Sequence, residues 1–133
     1  MHHGLKDHEG MIENFIRVLV IDHDQNIVAG TFDGGVFRSA DGGLTWRPIS
    51  RALPNDSIRG IVSSDRTLVV ATGNGIFKTV DQGKQWTPLN KGLTNQPIQV
   101  LIGSKETGLY AGTSSGVFRS DDGGSWIAVN EGL

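Results

Sequence analysis

The chain has 133 residues, 19 glycines and no cysteine, a length that bounds it to about one domain. Its 12 basic and 14 acidic side chains leave a net charge of −2, which gives no bulk electrostatic reason to bind nucleic acid or an anionic membrane. Without cysteine there is no disulfide framework, zinc knuckle or thiol catalysis. No apolar run approaches the ~18 residues of a membrane span, and the opening residues lack the order of a secretory signal; the compartment stays unknown.

Residues 1–14 read as the tail of a preceding repeat plus a linker. His2, His3 and His8, with Asp7 and Glu9, lie in this segment and are not expected to form a preorganised metal site. From Phe15 onward the chain breaks into short β-branched runs bounded by Gly, Asp, Asn and Ser, the pattern of strands. The first set is Phe15–Asp22, Ile27–Thr31, Val36–Ser39 and a strand starting at Trp46. The second is Ile58–Val62, Leu68–Thr72, Ile76–Thr79 and a strand from Trp86. The third is Ile98–Ile102, Leu109–Thr113, Val117–Ser120 and a strand from Trp126.

These sets are one repeat written three times. Trp46, Trp86 and Trp126 are 40 residues apart, and Phe37, Phe77 and Phe118 are 40 and 41 apart. An all-β period of about 40 residues is the size of one propeller blade. The fold class is therefore all-β: three four-stranded antiparallel blades of a β-propeller, as a partial propeller or as half of a six-bladed ring. The blades span 15–57, 58–97 and 98–133. The first two strands of each blade are apolar on successive residues, which predicts burial on both faces. Ala29-Gly30, Ala71 and Ala111-Gly112 predict close approach of neighbouring sheets. Pro48 and Pro88 lack a ladder donor, which puts the fourth strand at the blade's outer edge.

Between the third and fourth strands stands a recurrent motif. In the first blade it is Ser39, Asp41, Gly43, Thr45 and Trp46; in the second, Thr79, Asp81, Gly83 and Trp86, with Gln85 in place of Thr; in the third, Ser120, Asp122, Gly124, Ser125 and Trp126, one residue shorter. An aspartate at that spacing accepts from backbone N–H groups of its own turn, the glycine takes a positive φ, and Trp buries its ring while its N–H finds a carbonyl. These residues read as structural. A sugar or metal site at Asp41, Asp81 or Asp122 is the alternative.

Other clusters have plain readings. Asp22-His23-Asp24-Gln25-Asn26 opens like an EF-hand loop, but Ile27 stands where the sharp turn needs Gly, so it reads as a hairpin turn, with a weak calcium site as the alternative. Gly73-Asn74-Gly75 reads as a hairpin turn built on Asn-Gly. Arg38, Lys78 and Arg119 share one repeated position and read as partners of neighbouring acids or as a solvated edge, with a ligand-lining face as the alternative. Tyr110 occupies a packing slot filled by Val28 and Val69 in the other blades.

The motif resembles the Asp-box of BNR-repeat, sialidase-like propellers. The wider pattern is similar to photosystem II assembly factor-like, sortilin-like and xyloglucanase-type bacterial repeats. The resemblance covers roughly residues 16–133 and implies a propeller whose boxes lie away from the working face. It fixes no single activity, because such repeats serve enzymes, receptors and scaffolds. The arginine motif and Tyr–Glu pair of the sialidases are absent from this sequence. The function this suggests is a non-catalytic protein-interaction or assembly scaffold, with no catalytic residue, cofactor or metal. The alternative is a piece of a glycoside hydrolase or glycan-binding propeller. The expected partners are further blades of a longer chain or a second copy, and beyond them a protein or a glycan.

Overall fold

The computed structural model describes residues 15–51, 53, 57–93, 97–104, 106–122 and 124–132. The N-terminal histidine cluster lies outside the described residues.

Twelve strands form three four-stranded antiparallel sheets. The first holds β1 (Ile16–Ile21), β2 (Ile27–Thr31), β3 (Val36–Ser39) and β4 (Arg47–Pro48). The second holds β5 (Ile58–Ser64), β6 (Thr67–Thr72), β7 (Gly75–Thr79) and β8 (Thr87–Pro88). The third holds β9 (Ile98–Ser104), β10 (Gly108–Thr113), β11 (Gly116–Ser120) and β12 (Ile127–Ala128). Within each sheet the strands pair in chain order, as hairpins joined by short turns dictate. The fourth strand is the edge, and Pro48 and Pro88 sit in it opposite Phe37 and Phe77. It begins one residue after each Trp, because the Trp closes the preceding turn.

The sheets stack through their first strands, with β5 packed between β1 and β9. Register sets which residues share a face. Ile61, Val70 and Phe77 lie side by side across the second sheet and enter one buried cluster with Val28 and Val36 of the first. Val62 and Val69 point the other way, into a cluster with Leu101, Ala111 and Phe118 of the third. Leu53 joins the first seam and Leu93 packs against the second. The connection between sheets thus carries a leucine back into the seam it crosses.

Close approach at the small residues is real. A Cβ on Gly30 would lie 2.5 Å from Ile58 Cγ2, and one on Gly60 would lie 2.9 Å from Leu101 Cβ. Burial on both faces holds for β5 and β6 of the middle sheet and for β2, and fails in β1 and β9. Leu19 of β1 is 60% exposed and Ile102 of β9 is 61% exposed; among the described residues each end sheet packs against one other sheet.

Candidate functional site: the turns between third and fourth strands

The first two of these turns are closed hydrogen-bond circuits. In the first sheet Ser39 Oγ donates to Asp41 Oδ1 at 2.9 Å and accepts from Gly43 N at 2.8 Å. Asp41 then accepts Thr45 N at 2.9 Å and Thr45 Oγ1 at 2.6 Å. The second sheet repeats this: Thr79 Oγ1 donates to Asp81 at 2.8 Å and accepts from Gly83 N at 2.9 Å, and Gln85 N donates to Asp81 at 3.0 Å. In the third, one residue shorter, Asp122 accepts from Gly124 N at 2.8 Å. The deletion moves the partner from four residues on to two.

These bonds favour the charged carboxylate. The Thr45 hydroxyl, then the Thr45 and Ser39 donors, hold the Asp41 carboxyl down to about 2. The Gln85 backbone N–H and the Thr79 hydroxyl lower that of Asp81. Both are spoken for within their own turns, which is the opposite of a carboxyl raised for acid catalysis.

The tryptophans tie sheets together. Trp86 Nε1 donates to Ile49 O at 3.1 Å and Trp126 Nε1 to Leu89 O at 2.8 Å, in each case a carbonyl of the preceding sheet. Trp46, which no sheet precedes among the described residues, donates to Gly43 O of its own turn at 3.1 Å. Its ring is nonetheless buried. The three environments therefore differ: Trp46 and Trp126 are buried and Trp86 is half-buried.

The remaining candidates fall into place around this frame. Asp22 accepts Asp24 N and Asn26 N, both at 2.9 Å, and meets the buried Arg38 guanidinium at 3.3 Å. Burial alone would raise the Asp22 carboxyl; the Asn26 N–H and Arg38 outweigh it and lower it. The segment is a hairpin turn. Arg119 pairs with Asp121 at 3.0 Å and donates to the Tyr110 hydroxyl at 3.2 Å. The tyrosine is thereby a hydrogen-bond acceptor at the sheet surface. The turn in the second sheet is centred on Gly73 and Asn74, which close Thr72 onto Gly75. Neither has a positive φ, whereas Gly75 does, at 131°. The expected Asn-Gly hairpin is thus displaced by one residue.

Two repeated devices were not picked out in the sequence. Thr31, Thr72 and Thr113 end each second strand and donate to the carbonyls of Gly35, Gly75 and Gly116 at 2.9 to 3.0 Å. Ser50, Asn90 and Asn130 accept the first backbone N–H of the third strand's apolar run, from Val36, Ile76 and Val117. Both recur at the repeat period, and that recurrence is the signal that could have found them.

Cavities sit at the seams. One of about 50 Å³ lies among Asp22, Arg38, Asp65 and Gln82. One of about 250 Å³ is flanked by Asp65, Lys78, Asp121 and Asp122. A groove of about 440 Å³ on the outer seam of the first two sheets carries Arg47, Arg51 and Lys84 around Ile49 and Gly83. Among the described residues no group of three or more His, Asp or Glu side chains could hold a metal ion, and no buried side-chain N or O lacks a partner.

No family model matches the chain, and no curated protein matches it in sequence. Solved structures do match in fold. A GH74 enzyme of Niastella koreensis superposes with a TM-score of 0.67 at 21% identity, over 86% of this chain and 21% of that one. An ancestral GH74 enzyme superposes with a TM-score of 0.61 at 16% identity, over 86% of this chain and 18% of that one. The chain thus spans about a fifth of the length of these enzymes. At such identity the likeness shows the fold: the three sheets are blades of a β-propeller.

Proposed function

We propose that this chain is a non-catalytic propeller module that holds a protein partner on its surface. The observation that supports this is where the repeated acids are used. Asp41 and Asp81 are each bound by at least two donors of their own turn. Paired-carboxylate glycoside chemistry needs two acids facing each other across a cleft, and these acids face their own backbones. Asp-box residues in this reading are structural at all three positions. The outer groove with Arg47, Arg51 and Lys84 offers a partner a cationic edge that complements an acidic segment.

The second reading, a piece of a glycoside hydrolase, draws on the GH74 likeness. One experiment separates them. The chain is incubated with a panel of plant and bacterial polysaccharides while reducing ends are counted, alongside an Asp81→Asn variant. The scaffold reading expects no release from either. Release by the parent that Asp81→Asn abolishes, at unchanged melting temperature, would overturn it.

A further inference from the structure

The two end blades expose faces whose counterparts in the seams are buried. On blade one the face carries the exposed Ile16 and Leu19 beside Ala29, Phe37 and Trp46, which are buried in a cluster of their own. The register counterparts of Ile16 and Leu19, Ile58 and Ile61 in blade two and Ile98 and Leu101 in blade three, are all buried. On blade three the opposite face carries Val100, Ile102 and Val129, all exposed. Val62 and Leu89, the counterparts of Ile102 and Val129, are buried in the seam between blades two and three.

We propose that a second copy of this chain covers both faces, blade one of each copy packing on blade three of the other, so that six blades close into a ring. The two seams inside the chain say what fits. Ile58 presses on Gly30, where no Cβ could stand; Ile16 meets the same glycine seat at Gly112, the register counterpart of Gly30. Leu19 stands to Ile102 as Leu101 stands to Val62 in the inner seam. The Trp46 indole leaves its own Gly43 and donates to the Val129 carbonyl, as Trp86 does to Ile49 and Trp126 to Leu89. An unrelated partner would have to reproduce this spacing of apolar knobs and one indole; blade one already carries it. The two junctions are identical, and a head-to-tail contact whose rotation closes gives a finite ring.

The test uses light scattering on the chain and on two variants, Leu19→Glu and Ile102→Lys. Both positions are exposed in the single chain, so neither change disturbs an isolated molecule. The parent is expected at twice 14.3 kDa. Each variant alone is expected at half the parental mass. Their mixture is expected to regain the dimer, because one junction then pairs Glu with Lys and the other is parental. Val80→Lys, on an exposed turn away from both faces, is expected to keep the parental mass. A parent of 14.3 kDa, species larger than a dimer, variants with parental mass, or a mixture that does not reassociate would each overturn the proposal.

Discussion

Trp126 of blade three donates its indole N–H to the Leu89 carbonyl of blade two at 2.8 Å. The same bond, from Trp86 to Ile49, joins blade two to blade one. Trp86 and Trp126 so clasp the blade before them. Trp126→Phe keeps most of the ring and removes the donor, leaving a carbonyl at the seam without its partner. We expect a loss of about 1–3 kcal/mol, the cost of an unmet buried polar group. Trp126→Ala adds a cavity and should cost about 3–5 kcal/mol. Urea melts of the two variants measure both; equal stability of parent and Trp126→Phe would remove the clasp from the account.

Acid should weaken the turns in a defined window. Asp41 is held down to about 2 by the Thr45 hydroxyl and its neighbours, and Asp81 is lowered in the same direction. A carboxylate whose folded pKa lies below its unfolded value stabilises the fold above the unfolded pKa, about 4, and loses that contribution as pH falls toward the folded value. Melting temperature should therefore be level from neutral pH to about pH 5 and fall below it. Both turns are at the surface, so added salt should blunt the effect. Thr45→Val removes the largest cause at Asp41 and should flatten the fall. A profile identical to the parent's would show that this turn does not set it.

Gln82 occupies a left-handed conformation, φ 62°, where blade one has Gly42 at φ 76°. A side chain pays for that geometry and glycine does not. Gln82→Gly should stabilise the chain by roughly 0.5–1 kcal/mol after the extra freedom of glycine in the unfolded chain is subtracted. Thermal melts at fixed pH check the sign.

Asn90 Oδ1 accepts Ile76 N at 2.8 Å, and Ser50 Oγ accepts Val36 N at 3.0 Å at the same place in blade one. Asn90→Ala should cost about 1–3 kcal/mol by stranding a buried N–H. Asn90→Ser should recover part of it, since serine makes this bond in blade one. If Ala and Ser are equally destabilising, the hydrogen bond is not the reason.

The strands were legible because burial writes itself into apolar periodicity. Ile27–Thr31 and Val36–Ser39 have the bounds read from the residues alone. β5 and β9 run two residues further, through Ser64 and Ser104, because backbone pairing continues past the last apolar side chain. The turn acids were legible through their spacing to glycine and tryptophan. The destination of each indole was not, since Ile49 and Leu89 are 37 residues away and carbonyls have no letter of their own. Trp46 has the same sequence context and a different partner, Gly43 O of its own turn. The Thr31 and Ser50 devices were missed for a related reason: small polar residues at strand ends are common, and only their recurrence marks them.

Trp86 and Trp126 bind blade to blade through their indole N–H groups. Indole N–H exchange with deuterium, followed by NMR, tests it most directly. Trp86 and Trp126 should exchange as slowly as the core amides of Val70 and Ile76. Exchange of both indoles at the rate of a free tryptophan, while those amides stay protected, would contradict it.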